Sequence, residues 1–432
     1  MAPGPPCNEQ LVQYTNEHDW PGGFSLPAMF RLHNRSHMVF AAEDASRAQT
    51  VVLQPMPVNP SSPPHKVVHT GAVAPGRRDE HFGGFFDFTS AETGELGFVG
   101  VGNKSVPLAQ RFFGVYVVAD PFRLPHPVVE KVVDTLDNVP GGLPHAKRWH
   151  ALSAPALYRS PSGPGGGLSL IFSGRDYAAP ATRGRDLIMK WRASTRSLQM
   201  LMDGSLHQLS GLSPVQLTSY MHGHQSWHWA VFLATDARRG LGLYSLPLSA
   251  TDGEHADARS EPMRILGLET DLPQTTPLQR FSSFGGPVTS AGGRVAFTAQ
   301  GSRGAFGIYL AQLSLTGTPP TLQRLVDTSV VPAAGGVFVA FPHSPSFASG
   351  RLVFEAIVRP AGTKQEQSGL YELKLGAGLT AALAQAAPRA VVTQRSANLT
   401  YLIAGYTGFD GECLAFYGSN DAGDALYVID PR

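Results

Sequence analysis

The chain has 432 residues, with 34 Lys and Arg against 33 Asp and Glu, and only 16% of its residues are charged. A net charge of +1 spread this thinly provides no concentrated basic face, so nucleic acid and anionic membrane surfaces are not expected partners. No apolar run approaches the roughly 18 residues of a membrane span, and 47 Gly with 35 Pro point to many tight turns between short strands.

In chain order, the first element is Gln10-Leu11-Val12-Gln13-Tyr14-Thr15, followed by Trp20-Pro21-Gly22-Gly23. The same order recurs at Val132-Val133-Asp134-Thr135 before Pro140-Gly141-Gly142, and at Leu325-Val326-Asp327-Thr328 before Gly335-Gly336. The N-terminal copy has no strands ahead of it. From Phe24 onward a longer unit repeats, anchored on Phe40, Phe98, Phe172, Phe232, Phe297, Phe354 and Phe416, which are spaced 57 to 74 residues apart. Each anchor closes a short apolar strand. A second strand follows as Gly114-Val115-Tyr116, Gly242-Leu243-Tyr244, Gly307-Ile308-Tyr309, Gly369-Leu370-Tyr371 and Ala425-Leu426-Tyr427, with degenerate copies at Thr50-Val51-Val52 and Asp186-Leu187-Ile188. β-branched and aromatic residues in such short runs suit strands packed between neighbouring sheets. A third strand reads Val67-Val68-His69-Thr70, Val132 to Thr135, Leu201-Met202-Asp203-Gly204, Ile265-Leu266, Leu325 to Thr328 and Val391-Val392-Thr393. Six anchors therefore have a third strand, and the seventh lacks one before the chain stops at Arg432.

Units of this size in an all-β chain are propeller blades. The expected fold is all-β, a seven-bladed β-propeller of four-stranded antiparallel blades in one domain, 1–432. The blades fall at about 24–70, 82–135, 145–204, 215–267, 281–328, 338–393 and 401–432 plus 10–15. The N-terminal strand supplies the outer strand of the last blade, because otherwise that sheet would end on unpaired backbone groups. A ring of blades also explains how 432 residues form one unit, since each blade packs only on its neighbours. Phe24, Phe82, Phe281 and Phe338 all stand sixteen residues before an anchor, and this equal offset predicts equivalent packing positions on inner strands near the axis. The stretch from Gly378 to Ala387, Ala-Leu rich and ended by Pro388, reads as a loop or short helix.

The phrases Gly293-Arg-Val-Ala-Phe297 with Gly307-Ile-Tyr-Leu310, Gly411-Glu-Cys-Leu-Ala-Phe416 and Gly94-Glu-Leu-Gly-Phe98 resemble the bacterial tandem repeats of the Asn-x-x-Gly-x-x-Ala-Phe type. That family is found in large surface or exported propeller-like proteins of mostly unknown function. The resemblance implies the fold and an extracellular setting, and it supplies no catalytic residue. Blade three departs from it most, through the insert Ser162 to Gly167. There is no Trp-Asp at strand ends as in WD repeats, and the Gly-Gly pairs precede the Phe strand where kelch repeats place them after it.

The start of the chain lacks the basic and apolar regions of a secretory signal, which makes the cytoplasm the expected compartment if the chain is complete. The sequons at Asn34, Asn103 and Asn398 fit the extracellular alternative. The only cysteines, Cys7 and Cys413, both belong to blade seven. They form either a bridge clamping the N-terminal strand or two buried thiols.

Motifs of established chemistry are missing. No His-Glu-x-x-His and no Gly-x-Ser-x-Gly is present, and Gly97 to Ser105 is better read as a blade strand running into a turn than as a phosphate loop. His222 and His224 would share one strand face, the spacing of two metal ligands, although hydrogen-bonded structural histidines are the expected reading. Arg77-Arg78 and Arg238-Arg239 read as solvated turns. Functional weight falls on the loops entering the inner strands, which propellers gather on one face. These carry Glu17, His18, Asp19 and Trp20, then Asp79 and His81, then His145 and Trp149, and then Asp271. The expected role is a non-enzymatic binding or interaction scaffold using this rim, monomeric, with a protein or carbohydrate ligand. The alternative is a metal-assisted hydrolase or lyase with a divalent cation, calcium, in the channel, held by Asp19, Asp79 and Asp271 with a histidine as base.

Overall fold

A strand that alternates its side chains between two apolar surroundings is buried along its whole length, and the anchor strands are of this kind. In Arg35–Glu43 everything between the first and last residues is buried, with Phe40 at the centre. The computed structural model describes residues 12–14, 23–32, 35–57, 64–91, 93–103, 105–107, 110–123, 127–140, 148–159, 167–176, 184–222, 225–248, 261–275, 277–286, 288–313, 320–375, 387–421 and 423–430. They form seven four-stranded antiparallel blades in a seven-bladed propeller, each ordered inner, second, third and outer strand. Blade five is typical, with an inner strand in two pieces, Phe281–Phe284 and Thr289–Ala291, then Arg294–Gly301, Phe306–Gln312 and Thr321–Asp327. In blade seven the order is Tyr401–Ile403, Leu414–Asn420, Gly423–Ile429 and, from the other end of the chain, Val12–Tyr14. Val12 pairs with Val428, Gln13 with Tyr427 and Tyr14 with Leu426.

Seven apolar layers separate the seven blades, and period-two alternation assigns each residue to one of them. Phe40 and Val52 face blade seven, meeting Ala415 and Leu426, whereas Val39, Ala41 and Val51 face blade two and meet Phe98 and Tyr116. The rule repeats around the ring, with each blade's Phe and Tyr directed at the blade before it and its aliphatic residues at the blade after. Across the strand pair the two rings stack, at centroid distances of 5.7 Å for Phe98 and Tyr116 and 5.3 Å for Phe416 and Tyr427.

Glycine two residues before the tyrosine makes room for that ring. A Cβ on Gly114 would stand 2.8 Å from Tyr116 Cε2, and one on Gly307 would stand 2.7 Å from the Val326 carbonyl oxygen. Every outer strand that follows an anchor in sequence also carries a β-bulge at the same place. Its extra residue is the first aliphatic of the repeated phrase: Val67, Val132, Leu201, Ile265, Leu325 or Val391. The bulge sharpens the strand twist that a circular array of sheets requires.

Of the phenylalanines sixteen residues before an anchor, Phe82, Phe281 and Phe338 are buried against their blade's tyrosine, and Phe24 is partly buried. Phe82 lies 4.9 Å from Tyr116, Phe281 5.1 Å from Tyr309 and Phe338 5.2 Å from Tyr371. The axis is approached instead by the second pieces of the inner strands, such as Ala28–Leu32, Thr289–Ala291 and Ser346–Ala348.

Charged groups mostly staple the ring. Arg77, expected to be solvated, pairs with both oxygens of Asp134 on the next blade's outer strand, and Asp134 is fully buried. Asp203 and Asp327 end their strands by accepting the backbone N–H two residues on, at 2.9 Å each. Arg238 and Arg239 are exposed. Cys413 is disulfide-bonded; the only other cysteine, Cys7, lies outside the described residues, as do the inserts at 160–166 and 376–386.

Candidate functional site at the ring axis

Antiparallel order sends successive turns to opposite ends of each blade. The loops that enter the inner strands, where the rim residues were expected, share one face with the turns between second and third strands. The inner hairpin turns open on the other face. On the entry face Asp79 is exposed and His81 Nδ1 donates to the Gly71 carbonyl oxygen. Asp271 is half exposed and pairs with Arg280 at 3.4 Å. Trp149 is no rim residue, because its ring is buried 6.0 Å from Phe172 in the layer between blades two and three. Its size and position before an inner strand gave the same signal as an exposed loop aromatic. Glu17, His18, Asp19, Trp20, His145 and His224 lie outside the described residues. His222 ends the inner strand Gln216–His222, opposite Gln225. Among the described residues no group of three or more His, Cys, Asp or Glu side chains is placed to hold a metal ion. Asp79 and Asp271 stand in loops between different blade pairs, before blades two and five.

What the structure does bring together is a cavity of about 760 Å³ toward the inner hairpin turns. Blades one, two, four, five, six and seven all reach it. Its wall is made by short polar residues at the ends of inner strands, among them Thr89, Ser90, Gln216, Ser290 and Ser346, with Phe88 and Phe347 beside them. A trace of this was present in the sequence, where Thr89-Ser90 and Thr289-Ser290 stand seven to nine residues after the inner phenylalanines Phe82 and Phe281. Hydroxyls there are compatible with a solvated channel and not with the interior of a sheet.

Three titratable groups of blade seven, with Arg31 of blade one and Asp87 of blade two, shape its electrostatics. Arg31 reaches the cavity wall, but its guanidinium is 2.7 Å from Glu412, which offsets the charge. Asp410 Oδ1 accepts the Cys413 and Glu412 backbone N–H groups at 2.8 and 2.9 Å and so holds the turn before the last anchor strand. Its Oδ2 is buried without a hydrogen bond. Burial pushes the Asp410 carboxyl up, against the Cys413 N–H, the Ser36 hydroxyl, the Glu412 N–H and Arg31, all of which favour the charged form. Burial likewise pushes the Tyr406 hydroxyl up, and the Asp87 carboxylate adds to the shift. Asp87 sits in a bulge of Phe82–Ser90 with φ of 56°, the left-handed region that Asp tolerates better than most residues, and crowding by protein raises its own pKa.

No protein-family model and no curated protein matches the chain. Among solved structures, a puromycin-hydrolysing peptidase of Mycobacterium tuberculosis is similar with a TM-score of 0.50 and 12% identity, covering 98% of this chain and 55% of that one. The chain thus spans about half the length of that peptidase, and the likeness is one of fold alone. An oligogalacturonate lyase in complex with manganese gives 0.49 at 9% identity, covering 100% of this chain and 98% of that one. A Penicillium chrysogenum α-L-arabinanase complexed with arabinobiose gives 0.39 at 14% identity, covering 80% and 93%. Neither bears on the site.

Proposed function

We propose that this propeller is a non-enzymatic binding scaffold whose ligand, a protein or a carbohydrate, is engaged around the central channel. The observation that carries the reading is the axial cavity. Six blades contribute small polar side chains and aromatic rings to one concave site, which is the composition of a recognition surface. Among the described residues the one carboxyl lining it, Asp410, is engaged with backbone N–H groups, so the wall presents no matched carboxylate pair of the kind general acid and base chemistry uses. The resemblance of the repeat phrases to exported propeller-like proteins supports a role in recognition at a surface.

The test is to present the purified protein to arrays of glycans and of peptides and to analyse each retained ligand by mass spectrometry after overnight incubation. A ligand recovered intact supports the scaffold. Cleaved or unsaturated products would replace this reading with an enzymatic one.

A further inference from the structure

We propose that the axial cavity is a binding site for a compact neutral carbohydrate, held at the inner-hairpin face of the ring and not at the rim of entry loops; this rests on the binding-scaffold reading. Thr89, Ser90, Gln216, Ser349, Tyr406 and Thr407 all line the cavity, and among the described residues none of their side chains hydrogen-bonds another group of the chain. Lining an open cavity, such groups are left to water or to a ligand. Their chemistry selects the partner. Hydroxyls and amides both donate and accept, which matches the hydroxyls of a sugar, each of which also does both. Phe88 and Phe347 reach the same wall but are packed mainly in the layers between blades, so the apolar area they offer a sugar ring is small beside the polar groups.

Charge narrows the class further. Among the described residues the one cation of the wall, Arg31, is taken up by Glu412 at 2.7 Å, and the wall's carboxyl is Asp410, so the cavity offers no unpaired positive charge to uronates or phosphosugars. The volume of about 760 Å³ lies within the roughly 300–1,000 Å³ typical of small-ligand sites and admits a mono- or disaccharide rather than a folded domain.

The experiment uses the full chain and a microarray of neutral hexoses, pentoses and their disaccharides, with the matching uronates alongside, followed by calorimetric titration of any sugar retained. The result expected is a neutral sugar bound in preference to its uronate, at least ten-fold more weakly by Tyr406→Phe, and lost in Ser90→Trp, which fills the cavity. Asp271→Asn on the opposite face leaves the affinity unchanged. Tyr406→Phe removes one oxygen and keeps the ring, so a folded protein remains available for titration if Ser90→Trp does not fold. A neutral sugar bound equally well by Tyr406→Phe, or weakened only by Asp271→Asn, would move the site to the entry face and overturn the proposal. Binding of uronates or peptides alone also overturns it while leaving the scaffold reading in place. If neither array retains the protein, both readings fall together.

Discussion

At the scale of single residues, the repeat is a set of mutual steric requirements. In four blades the residue two before the tyrosine is glycine, where the tyrosine ring or the outer strand crowds a Cβ, and blade seven carries Ala425 instead. Gly307→Ala would place a methyl 2.7 Å from the Val326 carbonyl oxygen and 2.8 Å from Asp327 Cβ. A loss of about 2 kcal/mol in urea unfolding is expected, as for other overpacked sites. An unchanged midpoint would mean that the outer strand at Val326 and Asp327 can move aside. Asp410 makes a prediction of opposite sign. Burial raises its pKa above the ordinary 3.8, so the folded state binds more protons than the unfolded one above about pH 4 and the carboxyl removes stability as the pH rises through its folded pKa. Asp410→Asn keeps the Oδ1 acceptor for Glu412 and Cys413. Its Tm advantage over the parent should be greatest near pH 7 and fade toward about pH 3. A difference that does not vary with pH would contradict this. The anchors and their glycines were legible because they repeat; Asp87 and Asp410 were not, because each occurs in one blade only.

At the scale of the element, burial on both faces made the second and third strands easy to read. A strand with apolar neighbours on either side needs no polar alternation, and the resulting runs stand out between Gly and Pro turns. Inner strands were harder. They break into two pieces after a bulge, and one equal spacing of sixteen residues located the phenylalanines that begin the first pieces. Phe297→Ala tests how far one layer depends on its anchor. That ring is fully buried among Phe281, Phe284 and Tyr309, and its removal should cost about 3–5 kcal/mol, with faster proteolysis across blade five. Loss of under about 1 kcal/mol would show that the neighbouring rings collapse into the space.

At the scale of the molecule, the seventh layer joins blades seven and one, and the strand Val12–Tyr14 adds backbone pairing to that joint. Each blade has two neighbours, so weakness at one joint is felt around the ring. Deleting residues up to Asn16 should lower the stability of the whole propeller by several kcal/mol, through lost strand pairing and the disulfide of Cys413 together. Cys413→Ser alone, which keeps the strand, should cost about 2–4 kcal/mol and remove any effect of reductant on Tm. Equal melting of the deleted and complete chains would show that side-chain packing between blades closes the ring unaided.

The amino-acid sequence by itself determined the number of blades and the order of their strands, since steric and apolar constraints that recur seven times leave a period. What only the tertiary structure decided is which residues meet at the axis. Thr89, Gln216, Ser349 and Tyr406 come from four blades and share no spacing, and it is the curvature of the ring that sets them around one cavity while it buries Trp149 and commits Arg77 to Asp134.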